Sequence, residues 1–312
     1  MIAFGPVPSR RLGHSIGVNT IPPKICTYSC VYCQLGRSLK MQVVREVFYE
    51  PDAIARDVER KVTDAANNGE SIDYLTFVPD GEPTLDRNLG QEIDLLKPLG
   101  LKIAVITNAS LLWHAEIREE VGKADWVSVK VDAVTQAIWR KIDRPYGTLR
   151  CDRVLEGIET FAQGFRGTLT TETMLVQGVN DIPEVISRIA AFLRKIGPAV
   201  SYLAIPTRPP AEPWALPASE QVINSAYQVF REHGLKVEYL LGYEGNAFAF
   251  TGNIEADLLS ITAVHPMREE AVRTLLAKAG ADWHVVDTLL ADGTLLAVPY
   301  GGNQFYMRTL GR

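Results

Sequence analysis

The sequence predicts an α/β fold: a parallel sheet curled into a partial or full barrel, followed by a small α+β domain. Three observations carry this. Short apolar runs alternate with helical patterns of about 10 to 15 residues from Ser15 to Leu241, the mark of repeated βαβ units. Polar residues gather where the apolar runs end. The alternation then breaks in a Gly/Asn-rich stretch, residues 242–253, and a different pattern follows.

The elements run in order. Ser15–Val18 is a short strand. Asp52–Asn68 is a helix, because Ile54, Val58 and Val62 recur every four residues and share one face. Tyr74–Val78 is a strand stopped by Pro79-Asp80-Gly81. Leu89–Leu99, His114–Val121, Cys151–Gln163, Ile182–Ile196 and Ala218–His233 read as helices. Between them Lys102–Thr107, Trp126–Val131, Thr168–Val176, Val200–Ile205 and Lys236–Leu240 read as strands. This makes six or seven βα units. Beyond the break, Ile254–Ala263 and Arg268–Ala279 are helical, and Asp282 caps a third helix, Trp283–Leu290. Asp292-Gly293 turns into strand Thr294–Tyr300, and Gly301-Gly302 turns again into Asn303–Met307, a hairpin signal. Three short helices and a hairpin resemble a winged helix. The expected domains are 1–250 and 251–312.

With 312 residues the chain has room for about two domains. Hydrophobic residues at 46% and charged ones at 22% are ordinary for a globular protein, which excludes collagen-like, disordered and coiled-coil classes. A net charge of −5 gives no overall pull toward nucleic acid or a membrane surface. No run approaches the roughly 18 apolar residues of a membrane span. Met1–Pro8 has neither a basic leader nor a long apolar core, so a cytoplasmic protein is expected.

Three of the four cysteines, Cys26, Cys30 and Cys33, lie within eight residues as CxxxCxxC; Cys151 stands alone. This is not a disulfide framework. A short loop at this spacing can wrap three thiolates around three corners of one iron–sulfur cubane, leaving one iron open to a ligand. The rival is a zinc site completed by Cys151 or His14.

The motif resembles that of the radical S-adenosylmethionine (radical SAM) superfamily. The resemblance implies a partial (β/α)6 barrel. It also implies a [4Fe-4S] cluster on Cys26, Cys30 and Cys33, whose open iron chelates the amino and carboxylate groups of S-adenosylmethionine. Reductive cleavage would then give methionine and a 5′-deoxyadenosyl radical that abstracts hydrogen from a substrate. The aromatic residue expected before the third cysteine, near the adenine, is Tyr32.

Supporting matches follow in chain order. Asp80-Gly81-Glu82-Pro83 resembles the GGEP motif, with Asp80 in place of the first glycine. It implies that Gly81, Glu82 and Pro83 receive the cofactor's amino group; Glu82 bonding the turn's own amides is the alternative. Strand ends at Asn108, at Lys130 and Asp132, and at Thr171 and Thr173 sit where barrel enzymes carry their sites. By resemblance Asn108, Lys130 and Asp132 face S-adenosylmethionine or substrate, and Thr171 and Thr173 approach its methionine or ribose part.

Gly5–Gly13, Ile142-Asp143-Arg144-Pro145 and Ile205–Trp214 together resemble one branch, the Fe–S oxidoreductases related to wyosine synthases. That resemblance covers about residues 1 to 250. Cys151 is the only cysteine left for a second cluster, so the branch likeness concerns the scaffold and not wyosine chemistry.

Residues 1–45 carry Arg10, Arg11, Lys24, Arg37, Lys40 and Arg45 and no acidic residue. A basic surround suits an anionic cluster or a phosphate-bearing substrate. Arg10, Arg11, Arg144 and Arg208 are the candidate substrate anchors, since Arg pairs with carboxylate or phosphate in bidentate fashion; Arg208 locking its own Pro-rich loop is the alternative. The tail, 253–312, has five basic and seven acidic residues, net −2. Asp282 and Asp287 lie on the would-be recognition helix, so a peptide or protein partner, or a lid role, is favoured over DNA. The five histidines show no metal spacing.

The expected function is therefore radical SAM modification of an RNA base, a phosphate-bearing small molecule, or a docked peptide or protein. Activation of a glycyl-radical enzyme ranks third. A flavodoxin or ferredoxin would supply the electron, and no membrane is involved. The alternative is a non-catalytic regulator carrying a metal or cluster and a winged helix.

Overall fold

The computed structural model describes residues 2–241 and 248–309. The first two strands, β1 (Ala3–Ser9) and β2 (Gly13–Val18), form an antiparallel hairpin. A short pair, β3 (Ile25–Cys26) and β4 (Lys40–Met41), frames the cysteine loop. Then come α1 (Pro51–Asn67), β5 (Tyr74–Phe77), α2 (Leu89–Leu96), β6 (Lys102–Thr107), α3 (Ala115–Val121) and β7 (Trp126–Lys130). They are followed by α4 (Gln136–Ile142), α5 (Cys151–Gly164), β8 (Thr168–Met174), α6 (Pro183–Ile196), β9 (Val200–Ala204), α7 (Glu220–Glu232) and β10 (Val237–Leu240).

The main sheet has eight strands in the order β1-β2-β5-β6-β7-β8-β9-β10, and only β1 runs against the rest. It is a curled half-barrel. All the parallel strands therefore end on one rim, where the connecting loops gather. β1 is absent from the sequence reading because Pro6 and Pro8 break a strand pattern. Proline is tolerated on an edge, and β1 is an edge strand.

The helices form because their apolar residues recur on one side. α6 starts with Pro183 at its first turn, ends on left-handed Gly197, and buries Val185, Ile186, Ile189, Ala190, Leu193 and Ile196. Each large aliphatic side chain so buried contributes about 1.5–3 kcal/mol. α1 uses Ile54, Ala55, Val58 and Ala65 in the same way. α4 escapes the sequence reading because seven residues with two buried side chains, Trp139 and Ile142, make too short a pattern.

The tail contains α8 (Ile254–Val264), β11 (Met267–Arg268), α9 (Glu269–Ala279), α10 (His284–Ala291), β12 (Leu295–Tyr300) and β13 (Asn303–Arg308). Its sheet order is β11-β13-β12. Gly301 and Gly302 both take positive φ, as a two-residue hairpin turn requires. The Asp282 side chain accepts the His284 N–H at 2.9 Å at the start of α10. Phe248, Leu258, Ile261, Leu275, Val286 and Leu289 give the tail its own core. It also touches the barrel directly: Lys61 Nζ pairs with Asp257 at 2.8 Å, and Tyr300 Oη donates to the Pro206 carbonyl at 3.2 Å. The break expected at 242–253 lies partly outside the described residues. Among the described residues no helix is long and apolar enough to cross a membrane.

Candidate functional site

The cysteine loop follows β2 on the rim where the parallel strands end. Its backbone is tied on several sides. Val31 N–H donates to the Ile142 carbonyl at 2.9 Å, Gln42 N–H to the Cys26 carbonyl at 3.2 Å, and Cys33 N–H to the Cys30 carbonyl at 3.1 Å. All three thiols are half-buried. Cys26 Sγ accepts from Tyr28 N–H at 3.5 Å and from Asn108 Nδ2 at 3.6 Å, and Cys30 Sγ meets Asp143 Oδ1 at 3.5 Å.

Burial pushes the Cys26 thiol up to about 12, with the Glu82 charge adding to it. Burial and then Asp143 push Cys30 far up. Cys33 rises less, because the Leu35 amide, Lys130 and Lys24 partly offset its burial. Such thiols ionise only when a soft metal centre replaces their protons. Three thiols on one loop, with N–H donors aimed at one sulfur, fit an iron–sulfur group. The zinc alternative fares worse. His14 lies at the opposite end of β2, its ring bonded to Ser71 at 2.9 Å. Cys151 is buried at the head of α5, its backbone N–H bonded to Gln136.

Gly81 makes the next turn possible. A Cβ there would stand 1.8 Å from the Ile25 carbonyl oxygen, so only glycine lets the turn lie against the strand that enters the cysteine loop. Glu82 then joins two βα loops. Its Oε1 accepts from Thr84 N–H at 3.2 Å, Thr84 Oγ1 at 2.6 Å and Thr107 Oγ1, and its Oε2 accepts from Asn108 N–H at 2.8 Å. The carboxylate thus braces the turn against the next βα loop, with three donors on Oε1 and one on Oε2. Asp80 is different: Asn19 donates to its Oδ2 at 3.0 Å, but its buried Oδ1 has no hydrogen-bond partner. Burial lifts Asp80 to about 6.

Asn108 reaches the cysteine loop. Its Nδ2 donates to Thr27 Oγ1 at 2.8 Å and to Cys26 Sγ, so it braces the cysteine loop. Thr171 and Thr173 are fully buried, bonded to Ser201 Oγ at 3.1 Å and the Val131 carbonyl at 2.9 Å. Neither lines the cavity, because their strand positions point into the sheet's packing.

A cavity of about 310 Å³ opens beside the loop. Arg10, Arg11, Tyr32, Cys33, Lys130 and Arg208 line it, with Val78, Ile106, Met174 and Ile205 as apolar wall. A smaller space of about 130 Å³ adjoins it, bounded by β1 and by His265 of the tail. Arg208 reaches both, donating to Gln34 Oε1 at 3.0 Å and meeting His265 Nε2 at 2.9 Å. Arg144 does not line the cavity; it pairs with Glu212.

The charged wall is built on strand register. Lys130 on β7 faces Glu172 on β8. Glu172 accepts from Lys130 Nζ at 2.8 Å and from Arg11 Nη1 at 2.6 Å. Burial opposes its charge, but the two cations win and bring it down to about 2. Burial likewise opposes the charge of Lys130, and Asp132 and Glu172 outweigh it. The Lys130 ammonium lies 4.7 Å from the centre of the Tyr32 ring, and Tyr32 Oη donates to Asp132. Burial raises Asp132, which Lys130 only partly offsets. Glu172, Asp143, Thr107 and His265 were not singled out in the sequence. Glu172 could have been found by aligning β7 with β8, which pairs opposite charges.

The sequence pattern described as the radical SAM superfamily matches residues 20–189. The UPF0026 protein MJ1312 of Methanocaldococcus jannaschii is 44% identical over 311 residues, 99% of this chain and 96% of that one. A solved radical SAM methyltransferase from Sphaerobacter thermophilus shares the fold with a TM-score of 0.57 at 17% identity, over 73% of this chain and 66% of that one. Streptococcus suis SuiB, solved bound to S-adenosylmethionine, has a TM-score of 0.50 at 14% identity, over 71% of this chain and 51% of that one. The family implies an iron–sulfur cluster and S-adenosylmethionine, and the thiols, the Gly81 turn and the adjoining cavity fit both. This chain belongs to the radical SAM superfamily.

Proposed function

We propose that the protein is a radical SAM modifying enzyme in which Cys26, Cys30 and Cys33 hold one [4Fe-4S] cluster beside the cavity. The observation that carries this reading is the placement of three thiols on one tied loop, with Cys33 lining a cavity at the strand-end rim. Bound together, cluster and S-adenosylmethionine supply one-electron cleavage of a carbon–sulfur bond and, from it, hydrogen-atom abstraction.

The chain's own residues do the rest. Gly81 brings its turn against Ile25, and Pro83 opens the short helical turn that follows. Glu82 fixes that turn to Asn108 and Thr107. Asn108 holds Thr27 and the Cys26 sulfur. Tyr32 offers a ring fixed through Asp132 for the adenine to pack on. Glu172 pairs with both Lys130 and Arg11, and Asp132 lies 3.9 Å from Lys130, so the charges of this wall are largely matched and Arg10 and Arg208 in the lining favour an anionic group on the substrate. The substrate class supported by this cavity is an RNA base or a phosphate-bearing small molecule. The tail reads as a winged-helix-like unit that docks a peptide or protein, with His265 reaching the smaller space.

Anaerobic reconstitution with iron and sulfide, followed by S-adenosylmethionine and dithionite, tests the reading. Methionine and 5′-deoxyadenosine should appear together and vanish in the Cys26→Ala/Cys30→Ala/Cys33→Ala variant. A fully loaded, reducible protein that never cleaves the cofactor, with or without candidate substrates, contradicts it.

A further inference from the structure

The cysteine loop has two faces. One lines the cavity through Tyr32, Cys33, Gln34 and Leu35. The other is clasped by two segments far away in sequence. Ser29 N–H donates to the Arg144 carbonyl at 3.2 Å, and Glu212 N–H donates to the Val31 carbonyl at 2.9 Å. There Glu212 gathers two guanidiniums: Arg37 Nε donates to it at 2.8 Å, and Arg144 donates through Nη1. The Arg144 guanidinium lies 6.0 Å from the centre of a Trp214 ring. Arg144 also has a positive φ of 45°, which is uncommon for a non-glycine residue.

The Glu212 side chain is only 6% exposed, while that of Arg37 is 70% exposed and Trp214 is 44% exposed. Outward, then, this face is cationic and aromatic. None of Arg37, Arg144, Glu212 or Trp214 lines the cavity.

We propose that this outer face docks the electron donor, a small acidic one-electron carrier protein. The inference rests on the cluster reading above. A partner here meets residues of the cysteine loop that do not line the cavity, which suits a molecule that must deliver only an electron. An RNA would also meet cations here, but its target base has to enter the cavity. Arg and Trp are the side chains that most often anchor protein interfaces, and a cationic face steers an acidic partner into register. In the step itself the carrier is oxidised by one electron and the cluster reduced by one; no bond forms or breaks and no proton moves. Glu212 is a positioning residue that holds both guanidiniums in place.

The test uses the full reconstituted chain and a bacterial flavodoxin. Binding of oxidised flavodoxin is read by calorimetry, without turnover. Bleaching of the cluster absorbance is followed by stopped flow with reduced flavodoxin, and with dithionite as the small reductant. Arg37→Glu should weaken binding and slow flavodoxin reduction by about tenfold at low salt, with the gap closing at high salt. Trp214→Ala should slow it a few-fold at every salt concentration. Dithionite should reduce both variants within about twofold of the parent rate. Unchanged flavodoxin binding and rate in both variants overturns the proposal. So does an equal loss with dithionite, which would make the face a mere prop for the loop. So does loss of binding to a short single-stranded RNA while flavodoxin is unaffected. A parent chain that takes up no cluster, visible in its spectrum before any flavodoxin is added, overturns the cluster reading itself and this inference with it.

Discussion

Lys130 and Glu172 are register partners on neighbouring parallel strands, and their side chains bond at 2.8 Å in the cavity wall. Arg11 completes the arrangement from the other side at 2.6 Å. The carboxylate therefore bridges two half-covered cations in one wall. Glu172→Ala should leave Arg11 buried without its carboxylate and Lys130 with only Asp132, 3.9 Å away, at a cost of about 3–5 kcal/mol. Urea denaturation of the apoprotein checks this. Glu172→Gln, which keeps the shape and part of the hydrogen bonding, should cost less; equal losses in the two variants would show that charge is not the cause.

Gly81→Ala places a Cβ in the Ile25 carbonyl. The turn must shift, and the cysteine loop with it. The variant should remain folded by circular dichroism but retain less than about half of the parent's iron, since a misplaced ligand loop weakens metal binding. Gly147→Ala, where a Cβ meets nothing within 4 Å, serves as the control and should retain iron like the parent.

Glu82→Gln replaces an acceptor oxygen by an NH₂ group that cannot accept from Asn108 N–H or the threonine hydroxyls. One or two buried donors lose their partner, each costing about 1–3 kcal/mol. The denaturation midpoint should fall without any change in the slope of the transition. A midpoint within error of the parent would mean that the brace between the two loops is not needed for stability.

These braces mark how far the sequence could be read. The alternation of strands and helices was legible because the longer helices, such as α1 and α6, carry an apolar face and the strands between them are short, mostly apolar runs. β1 was not, since its prolines hide an edge strand. At the site, the grouping of the three cysteines could be read from spacing, and the turn at Gly81 from its Pro-Asp-Gly sequence and its likeness to a family motif. The placement of Thr171 and Thr173 could not, because a polar residue at a strand end can point into the cavity or into the packing. One residue of register decides which. Glu82 was readable only as a pair of alternatives, and its contacts with Thr107 and Asn108, one βα unit later, could not be seen in the sequence.

Away from the site, Asp86 and Glu92 are both fully buried. Burial and then the neighbouring Asp86 charge lift Glu92 to about 9, and burial lifts Asp86 to about 6. The folded protein thus keeps a proton on Glu92 that the unfolded chain releases near 4.5. Its contribution is full below that pH and is lost as pH rises toward 9, with a slope of about 1.4 kcal/mol per pH unit for one proton. The parent's denaturation midpoint should fall between pH 6 and pH 9, whereas Glu92→Gln should be much flatter across that window. Parallel curves would show that the pair does not hold the proton.

The central claim is that Cys26, Cys30 and Cys33 hold an iron–sulfur cluster at the mouth of the cavity. The most direct test is elemental and sulfide analysis of the anaerobically reconstituted protein beside its Cys30→Ala variant. The account predicts about four iron and four sulfide per chain in the parent, as a [4Fe-4S] cluster requires, and loss of both in Cys30→Ala with the fold retained. One zinc per chain without sulfide, or full iron content in Cys30→Ala, would contradict it.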